Sequence, residues 1–303
     1  MRWYTGNPTY DTLLACGLAF AVAVFFISWF LPSPYGRFSS TRFGVNLGPR
    51  LGWFLMELPA TLSFLYFYVR GPRRAELVPL VFLAMWLIHY ANRGFLFPLR
   101  MRVARNDRGS FSLMVIVVGW MVTSLHGYFH ASFFTRFGTH YTSDWLRDPR
   151  FLCGLVIYYS CFALNLQSDA IIRRLRTREE VDAGIKSYRI PEGGLFRWVT
   201  SPSYLTELGA WAGFALCTWS LAGVFVLVIS LGNLVPRAFA TQRWYRARFS
   251  EYPRERKALI PYLLRRSARG RCDARPARTR AATGLRTAPG RRCESGTTSS
   301  SRR

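Results

Sequence analysis

Acidic residues and histidine are scarce in this chain of 303 residues: 16 Asp and Glu stand against 41 Lys and Arg, with four His. No histidine sits at zinc spacing, and the cysteines (Cys16, Cys153, Cys161, Cys217, Cys272 and Cys293) include no CxxC pair, so no metal is implied. The first four cysteines lie in apolar runs, where they read as small buried hydrophobes rather than a disulfide frame. A GxGxxG after a strand and a GxxxxGK[ST] run are both missing, which excludes nucleotide binding of the Rossmann or P-loop type. Charged residues are only 19% of the chain, and hydrophobic residues make up half.

What is there is apolar and clustered. About 20 mainly apolar residues are needed to carry a helix across roughly 30 Å of hydrocarbon. Runs at residues 12–31, 51–69, 77–97, 111–134 and 151–166 read as spans, and a sixth apolar region, 204–235, is too long for one. Residues 220–223 offer a hinge there, so it divides into two helices. The expected fold is an all-α integral membrane protein with seven transmembrane helices over residues 1–265. Only Arg2 precedes the first run and no small-residue cleavage pattern follows it, so it is expected to stay as a span. Residues 266–303 hold eleven arginines with Asp273 and Glu294 and almost no large apolar residue, and are expected to form a basic, disordered tail.

The net charge of +25 is almost entirely arginine. In a soluble protein it would suggest nucleic acid. In a membrane protein it points to cytoplasmic loops facing anionic lipid or a phosphate-bearing ligand, and no specific nucleic-acid partner is expected. An outside N-terminus puts most of the Lys and Arg on the inner side, together with the C-terminus and the long polar stretch 165–207.

Ionisable groups within a span are costly unless paired or hydrated, which makes them functional candidates. Glu57 lies about two turns into the second run; alone, it could equally be an interfacial carboxylate paired with an arginine. Tyr90 and Arg93 share a face at i, i+3 spacing. Asn165, Asp169, Arg173 and Arg176 recur at three- and four-residue steps. A continuing helix would present them as one stripe, suited either to phosphate or to a solvated helix end. Pro191, Gly193 and Gly194 make a tight turn whose amides could approach an anion. Ser201 and Pro202 read as N-cap and first residue of the sixth span, with Glu207 in its first turns.

The motifs FLMELP around Glu57, HYANR around Tyr90, NLQSD followed by IIRRLR, YRIPEGGLF, and WYRARFSEYPRERKALIPYLL occur in this order between Tyr35 and Leu264. Taken together, they resemble the steroid 5α-reductase family. The resemblance implies a seven-helix membrane enzyme that uses NADPH to reduce the Δ4 double bond of a 3-oxo steroid. It implies that Glu57 and Tyr90 hold the C3 carbonyl oxygen. It places Trp53, Arg93, Asn165, Asp169, Arg173, Arg176, Tyr188, Arg189, Glu207, Arg237, Tyr245 and Arg256 in the cofactor region. Steroid would enter from the lipid and NADPH from the cytoplasm, with a monomer sufficient. Met56, Asn92, Ser203 and Thr241 depart from the pattern of the animal enzymes, and the arginine-rich composition suits a bacterial homologue in the inner membrane. The alternatives are a polyprenol or enoyl-thioester reductase, an isoprenylcysteine-type methyltransferase, and a small transporter with Glu57 as its proton site.

Overall fold

Inside hydrocarbon, backbone N–H and C=O groups must find partners within their own segment, and the long apolar runs meet that demand as helices. The computed structural model describes residues 4–31, 33–107 and 109–261, apart from the side chain of Phe43. The tail expected at 266–303 lies outside the described residues. The helices are α1 (Pro8–Phe30), α2 (Pro49–Val69), α3 (Leu77–Tyr90), α4 (Phe97–Arg100), α5 (Leu113–Ser132), α6 (Pro149–Arg174), α7 (Arg178–Asp182), α8 (Pro202–Thr218) and α9 (Leu221–Arg248). A two-residue ladder pairs β1 (Asn46–Leu47) antiparallel with β2 (Phe111–Ser112). Proline in the first turn starts α1, α2, α6 and α8, where its missing N–H costs nothing.

Among the described residues, five helices are long and apolar enough to cross a membrane: Pro8–Phe30, Leu77–Arg100, Leu113–Phe137, Pro149–Arg174 and Leu221–Arg248. Large apolar side chains point outward from them; Phe30 is 83% exposed and Val156 66%, as lipid-facing residues would be. The protein is an all-α, multi-pass membrane protein. Helices α2 and α8 sit where the second and sixth runs were expected but fall outside that set of five, α2 carrying Arg50 and Glu57 and α8 having 17 residues.

Small residues let the helices approach closely, as in membrane bundles generally. A Cβ on Gly154 of α6 would lie 2.5 Å from the backbone N of Cys217 in α8, and one on Gly213 would lie 2.6 Å from the N of Tyr158. Gly127 does the same for α5 against α2, where a Cβ would lie 2.7 Å from the N of Phe64. The backbones therefore touch, and the polar ends of α6 and α8 are held side by side.

Several boundaries differ from expectation. Helix α6 runs on through the polar residues after 166 because α8 continues to pack against it, with Ser203 Oγ donating to Asp169 Oδ1 at 2.8 Å. It ends at Arg174, so Arg176 lies beyond the helix rather than on its stripe. Ser201 holds the N-cap position of α8 but makes no cap hydrogen bond. The α8–α9 break falls at Trp219, a left-handed residue with φ 44°, and Ser220 Oγ caps α9 by accepting from Gly223 N at 3.0 Å. Directly after Tyr90 the chain enters a π-helical turn, Ala91–Leu96, an irregularity that recurs at functional sites.

Candidate active site

Two cavities share the wall formed by Tyr35 and Trp53. The first, about 490 Å³, has an apolar side supplied by Phe20, Val24 and Ile27 of α1, Val115 and Val118 of α5, and Val226 and Ile229 of α9. Its polar end carries Glu57, His89, Tyr90, Arg93, His126 and Glu207. Such a cleft, mostly apolar with a few converging polar groups, is the form of a small-molecule site. Glu57 and Tyr90 are buried, at 8% and 4% exposure, so a carbonyl oxygen between them would be held away from water. A carboxylic acid and a phenol there can both donate to an oxygen that gains negative charge.

The buried polar groups at this end have definite partners. Arg93 Nε lies 3.7 Å from Glu57 Oε1 and 3.9 Å from Glu207 Oε1, so one guanidinium faces two carboxyl groups. Its position is set by the π turn: Trp53 Nε1 donates to the Arg93 carbonyl at 3.1 Å, and the guanidinium lies 4.5 Å above the Trp53 ring. Glu207 Oε1 accepts from Trp211 Nε1 at 3.2 Å and Oε2 from Asn165 Nδ2 at 3.3 Å. His89 stands between, with Nε2 3.8 Å from Glu207 Oε1 and Nδ1 3.1 Å from the Tyr158 hydroxyl.

The second cavity, about 340 Å³, is cationic. Arg37, Arg102, Arg173, Arg176, Lys186, Arg189 and Arg237 line it, with Asp169, Tyr188, Tyr204 and Tyr245. Arg37 Nη1 and Arg176 Nε are buried there without a hydrogen-bond partner among the described residues. Buried donors of this kind are costly unless a ligand meets them, and phosphate oxygens are their natural acceptors. Arg37 also stacks on Trp244 and Tyr245, at 4.8 and 4.9 Å from their ring centres. Tyr35, between the cavities, has its phenol raised above its ordinary value by burial, with the Arg237 guanidinium over its ring pulling the other way. It therefore stays a neutral donor.

The residues expected at the site fall into four groups. Glu57, Tyr90, Arg93 and Glu207 line the first cavity, Trp53 lines both, and Asp169, Arg173, Arg176, Tyr188, Arg189, Arg237 and Tyr245 line the second. Asn165 and Arg256 line neither: Asn165 donates to Glu207, and Arg256 Nη1 donates to the Pro191 carbonyl at 3.1 Å. Several wall arginines are already engaged. Arg237 donates to the carbonyls of Ser33 and Tyr35 and to the Tyr204 hydroxyl, so it ties a loop to the helices. Arg189 grips Glu180, whose carboxyl it holds down at about 2. That tie is present above the ordinary carboxylate range and is lost as pH falls toward 2. The Gly193 and Gly194 turn lies off both walls and packs its second glycine against Gln167 and Ile171 of α6.

The sequence reading missed Tyr35, Arg37, Arg102 and Lys186 on the second wall, and His89 and His126 on the first. The loop residues have no periodicity to mark them. The two histidines had a usable signal, since an imidazole inside an apolar run is itself a candidate.

Comparison with known proteins gives the same direction throughout. A family model described as 3-oxo-5-alpha-steroid 4-dehydrogenase matches residues 109–264. The chain is 37% identical to 3-oxo-5-alpha-steroid 4-dehydrogenase 1 of Rattus norvegicus over 234 residues, which is 77% of this chain and 86% of the relative. It is 34% identical to steroid 5-alpha-reductase DET2 of Solanum lycopersicum over 248 residues, 81% of this chain and 93% of the relative. With 3-oxo-5-alpha-steroid 4-dehydrogenase 1 of Homo sapiens the identity is 33%, over 77% of this chain and 86% of the relative.

Proposed function

The chain belongs to the 3-oxo-5-alpha-steroid 4-dehydrogenase family, and on that premise we propose that it reduces the Δ4 double bond of 3-oxo steroids such as testosterone or progesterone, using NADPH. The observation that carries this reading is the pairing of cavities: an apolar one closed by an acid and a phenol, joined at Tyr35 and Trp53 to one walled by arginines. The unpartnered donors of Arg37 and Arg176 fit a group with several phosphates.

When bound, NADPH supplies the hydride that adds to C5 of the enone, and the enolate so formed takes a proton at C4. Glu57 and Tyr90 donate hydrogen bonds to the C3 oxygen, and these strengthen as negative charge builds there. The apolar walls from α1, α5 and α9 hold the ring system and keep water out. Arg37, Arg173 and Arg176 take the phosphates, while Asp169 and Tyr188 bound the same cavity. Steroid enters from lipid between α1 and α5. Ile27, Leu31, Met114 and Val118 line the first cavity and are 55, 58, 40 and 43% exposed, which supports a mouth on the lipid side. The cofactor comes from the cytoplasm. The topology that accompanies this reading has seven spans, with α2 and α8 crossing as well, the N-terminus outside and the C-terminus cytoplasmic, in a bacterial inner membrane.

The test is NADPH consumption by the purified protein with testosterone, progesterone, a polyprenal and an enoyl thioester. Reduction of the steroids is expected, with Glu57→Gln and Tyr90→Phe each lowering turnover by about a hundredfold or more while NADPH still binds. Near-normal turnover in both variants, or consumption confined to the polyprenal or thioester, overturns the assignment.

A further inference from the structure

Arg93 is the one arginine or lysine on the wall of the first cavity among the described residues, and two carboxyl groups face it. The other titratable groups on that wall are Tyr35, Tyr90, His89 and His126. Asp169 and Tyr158 stand behind it on α6. Both imidazoles are 3% exposed. The Tyr158 hydroxyl has one partner among the described residues, His89 Nδ1 at 3.1 Å; with that hydroxyl as the donor, His89 is neutral and carries its own proton on Nε2, toward Glu207. His126 has no hydrogen-bond partner at either nitrogen among the described residues, and a charge there would stand uncompensated. One cation thus faces two carboxyl groups in a site that excludes water. A single cation favours one ionised carboxyl of the two, with a proton left on the other.

Hydrogen bonding decides where that proton rests. Glu207 receives Trp211 Nε1 at 3.2 Å and Asn165 Nδ2 at 3.3 Å, and His89 Nε2 faces it at 3.8 Å. No hydrogen bond reaches the Glu57 carboxyl among the described residues; its one polar neighbour at ion-pair distance is Arg93 at 3.7 Å. Donors stabilise the ionised form, so the anion belongs on Glu207. We propose that Glu207 is a positioning residue for Glu57: it takes the charge of Arg93 and so keeps Glu57 the neutral acid that donates to the substrate carbonyl. What Glu57 donates to rests on the steroid-reductase reading. Where the proton sits does not.

In Glu207→Gln, Arg93 loses its stronger partner and turns to Glu57, which then gives up its proton more readily. The test is the pH profile of kcat for testosterone reduction by the purified enzyme in detergent. The alkaline limb is expected to move down by about one pH unit or more in Glu207→Gln. It is expected to return toward its original place in the double variant Arg93→Gln/Glu207→Gln, where neither charge remains. A loss of rate at every pH with the limb unmoved overturns the proposal and leaves Glu207 a structural residue.

A second readout needs neither turnover nor a folded Glu207 variant. An infrared difference spectrum of the native enzyme against Glu57→Gln at neutral pH is expected to contain a protonated-carboxyl stretch belonging to Glu57. A difference spectrum without that band overturns the proposal. Should the enzyme reduce neither testosterone nor progesterone, the steroid reading falls, and this spectrum still decides the charge assignment.

Discussion

Arg176 illustrates how little a residue's spacing says about its work. It was expected on a helical stripe with Asn165, Asp169 and Arg173, yet it sits past the end of α6 and uses its guanidinium as a two-pronged tie. Nη1 donates to the Arg102 carbonyl at 2.8 Å and Nη2 to the Ser187 carbonyl at 3.3 Å, while Arg102 Nη1 returns a bond to the Arg176 carbonyl at 2.6 Å. Its Nε remains for a ligand. A lysine keeps the charge and loses the planar fork. Arg176→Lys is therefore expected to weaken NADPH binding by about ten- to a hundredfold, the worth of a charged hydrogen bond. Asp169→Asn is expected to weaken it too, because the carboxylate that Ser203 orients is on the same wall. Equilibrium titration of NADPH into the purified variants checks both, and unchanged affinity in both removes the cofactor from the second cavity. Of the residues expected in the cofactor region, Asn165, Arg237 and Arg256 also bond Glu207, the Ser33 and Tyr35 carbonyls and the Pro191 carbonyl, a distinction that residue type alone does not carry.

At the level of elements, apolar length was a sound guide and polar content a poor one. The first run appears as α1, and the long region 204–235 does divide at its hinge, where Trp219 turns left-handed and Ser220 caps the next helix. The polar extension of α6 past residue 166 was legible only as a conditional, a helix that would continue through Asn165, Asp169 and Arg173, because Asn165, Gln167 and Ser168 suit a loop as well until α8 lies beside them. Contact between α6 and α8 depends on Gly154 and Gly213, whose backbones meet with no room for a methyl group. Gly154→Val is expected to destabilise the protein by about 3 kcal/mol, the upper end of overpacking, with unfolding in detergent as the measurement. Because the same contact aligns Asn165 and Asp169 with Glu207 and Ser203, the variant that folds is expected to lose NADPH affinity as well. The π turn after Tyr90 had no sequence signal, yet it aims Arg93 between Glu57 and Glu207.

For the whole molecule, the two cavities divide the reaction between an apolar substrate and a polyanionic cofactor. If steroid enters between α1 and α5, bulk at that mouth obstructs entry without touching the chemistry. Ile27→Trp and Val118→Trp are each expected to raise KM for testosterone several-fold with kcat nearly unchanged, and steady-state kinetics in lipid vesicles checks this. A loss of kcat with KM unchanged would place the entrance elsewhere. The sequence by itself determined the class of protein, because the clustering of apolar residues is a local property that the cost of burying backbone in lipid converts directly into helices. Its motifs, in order, also indicated the family. The tertiary structure alone decided which polar groups meet. Glu57, Arg93 and Glu207 come from α2, the π turn and α8, so the number of cations facing the two carboxyls, and with it the place of the proton, depends on how those elements pack.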